Sequence, residues 1–328
     1  LPVGGGPLVD PFGGRADLEA GLIRAVGDPL QRFAEDGLRP LRACRFASQL
    51  GFEVEAATRS AIPERLNVAR KVAMERVFTE LDKLLRGSEP QRGLGLLAES
   101  GLLDLWLPEL RPMVGCGQNR HHAHDVWRHT LEVVRAAPAE SALRWAGLLH
   151  DVGKPGTRSV GPDGEIHFYG HEAPSLELAA GIFERLKASH ALRKAALALI
   201  RHHGTHPTEA WGDAACRRFL GRLEADGLAL DTWAAFRLAD QRGKGQAWEL
   251  HLSDHTQLMV RLETLKAAKP PLSVRDLALD GAALMRLADR PGGPWLGDLQ
   301  KRLLEAVLDD PAVNTPERLA ERVVREFP

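Results

Sequence analysis

Between Pro29 and Gly87 the apolar positions recur every three to four residues: Leu38, Leu41, Phe46 and Leu50 in one run, Val72, Val77, Leu81 and Leu84 in another. That period belongs to helices that bury one face. Gly51 and Gly87 stand where these runs stop and are predicted as C-terminal caps. Residues 1–28 read differently. Leu8 to Gly14 is a strand end and a tight turn, Asp17 caps a short helix reaching Leu22, and Ile23 to Val26 is a strand stopped by Gly27, Asp28 and Pro29. A short helix is predicted at about 90–99, and the Pro- and Gly-rich stretch 108–117 reads as a boundary. From 125 to 260 the pattern is mostly helical again. Asp125 is an N-cap, a helix covers about 141–152, and a polar loop at 156–165 lies between helices. Several short helices follow to residue 328, separated by Lys269-Pro270-Pro271 and by Arg290 to Pro294. Trp127, Trp145, Trp211, Trp233, Trp248 and Trp295 fall mostly at helical apolar spacing and are read as core. The predicted fold is mostly α, with a small mixed α/β piece at the N-terminus. Its segments are 1–28, a multi-helical neck at 29–117, a histidine-rich helical domain at 118–260 and a helical tail at 261–328.

Charge narrows the partners. Lysine plus arginine is 43 against 44 acids, which excludes a polycation that coats nucleic acid and leaves only local RNA-binding surfaces. Arginine outnumbers lysine 34 to 9, favouring planar, forked recognition. Arg24, Arg32, Arg39, Arg42 and Arg45 form one such stretch, and Arg217, Arg218 and Arg222 another, each readable as an RNA contact or as an ordinary solvated face. No stretch approaches the roughly 20 apolar residues of a membrane span. Cys44, Cys116 and Cys216 are far apart with no C-x-x-C, which points away from disulfides and a zinc knuckle and towards the cytoplasm.

The histidines concentrate between residues 121 and 255. His129 lies on the helix begun by Asp125, and His150-Asp151 ends the next helix just before Gly153. His171, His203 and Asp240 follow, whereas His121, His122 and His124 read as solvated loop. Imidazoles and carboxylates delivered by several helices suit a divalent ion such as Mg²⁺, Mn²⁺ or Ni²⁺. His171 and His203 are candidates for a second ion or for the leaving phosphate, and Lys154 for a phosphate oxygen. With His129, His150, Asp151 and Asp240 in place, residues 120–245 resemble the HD phosphohydrolase superfamily, whose pattern is H…HD…D. The resemblance implies metal-dependent hydrolysis of phosphomonoesters or cyclic phosphodiesters at these positions; His150, Asp151 and, by its place three residues after Asp151, Lys154 are the candidates for the reacting centre.

The run RFAEDGLRPLRACRF (32–46) puts Glu35, Asp36, Arg39 and Arg42 at helical spacing, as either a hydrogen-bonding edge for a nucleobase or plain salt bridges. Pro40 interrupts a continuous helix, so one that starts near Arg39, with Asp36 ahead of it, is the other reading. The ordered run from DPFGG through RFAEDGLRPLRACRFASQLGF (10–52) to ERVFTELDKLL (75–85) is similar to the class II tRNA nucleotidyltransferases and bacterial poly(A) polymerases. GHE (170–172), RHHG (201–204) and ADQRGKG (239–245) resemble the bacterial CCA-adding subgroup that carries an HD domain, so the resemblance covers nearly the whole chain. It implies that Asp36 and Arg39, within the Glu35-to-Arg39 motif, read CTP or ATP, that Arg42 supports the triphosphate or the motif, that tRNA is the partner, and that the HD domain can pair two copies. The family's catalytic head needs Mg²⁺ held by an Asp-x-Asp pair. No Asp-x-Asp occurs in these residues, and Gly87-Ser88 reads as a cap. The head is therefore expected upstream of Leu1 or on another polypeptide, and this segment alone is not expected to add nucleotides. A free-standing HD nucleotidase and a non-catalytic tRNA-binding subunit are the alternative readings.

Overall fold

The computed structural model describes residues 9–119, 123–205, 211–245 and 252–327. His121, His122 and Trp248 lie outside them. The architecture is helical, with two short strand pairs among the described residues. The chain divides into two compact units, residues 1–204 with 235–248, and residues 205–234 with 249–328. Helix Leu230–Gly243 contributes its residues from Ala235 onward to the first.

The first helix of unit one is Gly14–Glu19, begun not by Asp17 but by Asp10, whose carboxylate accepts the amides of Gly14 and Arg15 at 2.7 and 2.9 Å. Asp17 instead pairs with Arg24 at 3.0 Å. The strand is only Leu22–Ile23, and it pairs in parallel with Glu53–Val54, a partner the sequence pattern did not reveal because two residues carry no period. Pro29–Glu35 is capped by Asp28, which accepts from the Leu30 amide. The chain then breaks at Asp36, which is extended, and a new helix runs Arg39–Leu50. Pro40 sits in its first turn, where a missing N–H costs nothing. The continuous helix over 32–46 is thus replaced by two helices with the motif at their junction. Gly51 closes the second with φ of 69°. Gly87 has another role than the predicted cap: a Cβ there would lie 2.1 Å from Ser48 Oγ. Arg39–Leu50 packs against Met74–Leu85 and Pro90–Ser100, and Leu41, Cys44, Leu81, Leu84, Leu94 and Leu97 on these helices are buried.

Helices Val126–Ala136, Ser141–Leu149, Glu172–Arg185 and His190–His202 form the histidine-rich part, with Trp145, Phe183 and Phe236 buried in it. The 156–165 segment is not plain loop. It turns as an antiparallel hairpin, Ser159–Val160 against Ile166–His167. Met74–Leu85 ties the two parts of the unit together. Phe78 stacks on Trp145 with ring centroids 5.6 Å apart, the Trp145 indole donates to Asp82 at 3.2 Å, and the Arg144 guanidinium donates to the Leu85 carbonyl at 3.1 Å.

Unit two packs Asp213–Asp226, Leu252–Ala267, Gly281–Leu287, Pro294–Asp309 and Pro316–Glu326; a cluster including Leu284, Leu299, Leu303, Val307, Leu319 and Val323 is buried. Two of its cationic candidates are engaged internally. Arg217 donates to the Leu308 and Asp309 carbonyls at 2.7 and 2.8 Å, and Arg218 pairs with Glu305 and Asp309. Arg217, buried, holds a helix end in place, and Arg218 pairs across the same end. No helix among the described residues is long and apolar enough to cross a membrane.

Candidate metal centre and nucleotide-recognition edge

Asp125 caps helix Val126–Ala136 by accepting the Arg128 amide at 2.7 Å, which sets His129 one turn in. Helix Ser141–Leu149 ends at His150 and delivers Asp151 in the following turn. Gly153 comes next because nothing larger fits: a Cβ there would meet the His171 carbonyl and the Ser175 amide, each at 2.6 Å. This close approach brings His171 beside Asp151. His203 follows at the end of His190–His202, and Asp240 comes from Leu230–Gly243.

The six predicted ligands form two groups, His129 with His150 and Asp240, and Asp151 with His171 and His203; within each, one donor atom per residue lies within 4.8 Å of the others. Asp151 faces both. Its Oδ2 is 3.1 Å from His150 Nε2 and 3.4 Å from His129 Nε2, while its Oδ1 is 3.3 Å from His171 Nε2 and 3.7 Å from His203 Nε2. Asp240 Oδ1 is 3.2 Å from His129 Nε2 and 3.6 Å from His150 Nε2.

The tautomers decide what this cluster is for. The Nδ1 atoms of His150, His171 and His203 lie 2.9, 2.9 and 2.6 Å from the carbonyls of Gly147, Phe168 and Ile200. A carbonyl only accepts, so each Nδ1 carries a hydrogen, and Nε2 has a free lone pair whenever the imidazole is neutral. The Nε2 atoms converge, His171 on His203 at 3.0 Å and His150 on His129 at 3.3 Å. Facing acceptors repel unless a cation lies between them. Ligands about 2.1 Å from one ion sit about 3.0–3.4 Å from each other, so the spacing fits a divalent ion. Carbonyls that orient ligand imidazoles through the far nitrogen are the usual support of such sites.

The charges respond strongly. Burial works against a charge on His150, but the Asp151 and Asp240 carboxylates outweigh it and push its pKa up to about 10. Burial also opposes ionisation of Asp151 and Asp240; His150 and Lys154 overcome this for Asp151, and His129 and His150 for Asp240, so both carboxyls are held well below the ordinary range. Lys154, buried, places Nζ 2.8 Å from Asp151 Oδ2 and donates to Gln118 Oε1 at 2.8 Å. Sequence reasoning missed Gln118, whose own amide donates to the His124 carbonyl at 3.2 Å, because a lone glutamine in a Pro- and Gly-rich stretch carries no spacing signal.

The second group of predicted residues is looser. Asp36 Oδ1 accepts the Leu38 amide at 3.0 Å and Oδ2 is 3.4 Å from Arg76. Partial burial raises the Asp36 pKa, but that amide together with Arg76 and Arg42 outweighs it and the net shift is downward. Arg39 donates to Glu35 at 2.7 Å and to the Arg32 carbonyl at 3.0 Å. Arg42 lies 3.7 Å from buried Glu80, which also holds Arg45 at 2.7 Å. Arg39 and Arg42 line a cavity of about 350 Å³ with Arg24, Arg32, Phe33 and Phe46; Glu35 and Asp36 are not in its lining.

A helical bundle with H…HD…D side chains gathered at one point defines an HD domain, and residues 121–241 match the family described by that name. Residues 51–113 match the family described as "Probable RNA and SrmB- binding site of polymerase A". The A-adding tRNA nucleotidyltransferase of Deinococcus radiodurans is 37% identical over 318 residues, 91% of this chain and 70% of the relative. The CC-adding tRNA nucleotidyltransferase of Thermus thermophilus is 34% identical over 316 residues, 92% of this chain and 69% of the relative. The chain belongs to the tRNA nucleotidyltransferase family, and its HD domain marks the branch that carries one. The crystal structure of the Bacillus stearothermophilus CCA-adding enzyme in complex with CTP shares the fold, with a TM-score of 0.68 at 24% identity, covering 97% of this chain and 68% of that one.

Proposed function

We propose that these residues supply two activities to tRNA maturation: selection of CTP or ATP for 3′-end synthesis, and hydrolysis of ribose phosphates at the His–Asp cluster. The observation that carries the hydrolytic half is the set of imidazoles whose Nδ1 atoms sit on backbone carbonyls and whose Nε2 atoms face one another around Asp151. His129, His150, Asp151 and Asp240 are the residues that hold a first divalent ion, with His171 and His203 joining Asp151 for a second. Such an ion acidifies a bound water and neutralises phosphate oxygens. Lys154 swings its ammonium from Asp151 to a phosphate oxygen, and Gln118 holds it in place. 2′,3′-Cyclic nucleotides and 2′-nucleotides are the substrates assigned to the site. Phosphate release with Mn²⁺, Ni²⁺ or Mg²⁺ tests this: it should be present in the 328-residue chain and lost in His150→Ala, and equal release by the mutant rejects the assignment.

In the polymerising half, Asp36 accepts from and Arg39 donates to the base edge, with Arg42 on the triphosphate side. A nucleotide takes over the bonds that Arg39 makes to Glu35 and Asp36 to Arg76. The carboxylates for nucleotidyl transfer are supplied by a head outside these residues. Incubated with tRNA, CTP and ATP, this chain by itself should incorporate neither CMP nor AMP; incorporation would overturn that division. The segments 1–28, 29–117, 118–260 and 261–328 correspond in this reading to head linker, neck, HD domain and tail, working in the cytoplasm on tRNA, with the HD domain able to pair two copies.

A further inference from the structure

We propose that the turn following the hairpin, where Tyr169 stacks on His167, is a platform for the nucleobase of the phosphorylated nucleoside bound at the His–Asp cluster. The inference rests on the hydrolytic reading for the phosphate end of that ligand and adds the element that recognises its base.

Phe168 to His171 is a tight turn. The His171 amide donates to the Phe168 carbonyl at 3.3 Å, and Gly170, in the third position, has φ of 71°. That is the backbone of a type II turn, with glycine where a positive φ is needed. The turn joins two functions over four residues. At its end stands His171, a ligand candidate whose Nδ1 is held by the Phe168 carbonyl. At its second position stands Tyr169, the only tyrosine of the chain, 77% exposed. The Tyr169 ring lies on the His167 ring with centroids 4.9 Å apart and planes 13° from parallel. His167 is fixed by its register opposite Ser159 in the hairpin.

The result is a slab of two rings with apolar surface left in water, two residues from a ligand histidine. Two residues span at most about 7 Å of chain, so the Tyr169 backbone lies within a nucleoside's length of His171. Phe168 completes the turn differently: its ring is 5.4 Å from Lys154 Nζ, on the ammonium assigned to the phosphate. The same turn thus touches the phosphate-binding cation and displays an aromatic face. Aromatic faces take any base, because stacking reads no hydrogen-bond pattern. The platform therefore selects for the presence of a base, not its identity.

The test is a binding titration with the full chain, using 2′-AMP and base-free ribose 5-phosphate on wild type, Tyr169→Ala and Tyr169→Phe. Tyr169→Ala should weaken 2′-AMP binding roughly tenfold, leave ribose 5-phosphate unchanged, and be rescued by Tyr169→Phe. Equal loss of both ligands in Tyr169→Ala shows that only the turn was disturbed and overturns the proposal, as does unchanged 2′-AMP binding. Phosphate release from 2′,3′-cyclic AMP separates the two claims. Tyr169-dependent binding without hydrolysis removes the hydrolytic reading and keeps the platform; hydrolysis indifferent to Tyr169→Ala does the reverse. An RNA ending in a 2′-phosphate, titrated in parallel, shows by its Tyr169 dependence whether the base comes from an RNA end or only from free nucleotides.

Discussion

At the His–Asp cluster, Asp151 and the imidazoles of His129 and His150 are fully buried, and each imidazole whose far nitrogen is placed is tied to a backbone carbonyl. At the Glu35-to-Arg42 edge the side chains are half exposed and pair mainly with one another or with Arg76 and Glu80. A buried site must have its geometry prepaid, since water cannot repair a misplaced charge there. An exposed edge can trade one partner for another at little cost, since surface ion pairs contribute only about 0–1 kcal/mol. The first arrangement suits a resident ion, the second a nucleotide that arrives and leaves.

The sharpest way to break this contrast is at Asp151, the residue both ligand groups share. Asp151→Asn should cut phosphate release on the order of 10³-fold while CTP binding, followed by equilibrium dialysis, stays unchanged. A parallel loss of CTP binding would mean that the two sites are one system.

Next comes pH. In chelated protein the His150 pKa of about 10 lies above the ordinary value of about 6.5. Its contribution to stability is therefore complete below about pH 6.5 and disappears as the pH rises through about 10. Asp151 and Asp240, whose pKa values are lowered, contribute above about pH 4 and lose that contribution as the pH falls through their folded values. Chelated protein should therefore melt highest near pH 5–6. Added Mn²⁺ or Ni²⁺ needs neutral imidazole, so its stabilisation should grow from pH 6 to pH 8, measured as the difference in Tm with and without the ion. A difference independent of pH would exclude His150 as a ligand.

Gly153→Ala forces a methyl group against backbone and should destabilise by about 1–3 kcal/mol in a denaturant melt. The smallest effect on stability is expected at the exposed edge. Glu35→Ala should change it by less than about 0.5 kcal/mol. Arg39→Lys should be equally harmless to folding yet weaken CTP and ATP binding roughly tenfold, because an ammonium cannot form the fork. Unfolding by either substitution would show that the edge is structural.

The helical fold was legible from the 3.6-residue period, which survives wherever a helix buries one face, as in Arg39–Leu50 and Met74–Leu85. The clustered residues were legible because His150-Asp151 adjacent at a helix end, followed by Gly153 and Lys154, is a dense local signal. What escaped was short or distant. Leu22–Ile23 finds its strand partner thirty residues on, and Gln118 reaches Lys154 across 36 positions. Arg217 and Arg218 looked available because charge is visible in sequence while the carbonyls and carboxylates at 305–309 that use it are not.

Helix Met74–Leu85 touches Asp36, Arg42 and Arg45 through Arg76 and Glu80, and Arg144 and Trp145 through Leu85, Asp82 and Phe78. It works as a party wall between two rooms. Cutting the gene at residue 118 to isolate the HD domain would strand an indole and a guanidinium on a freshly bared surface. A self-sufficient fragment has to begin before Met74, and it then inherits the wall of its neighbour.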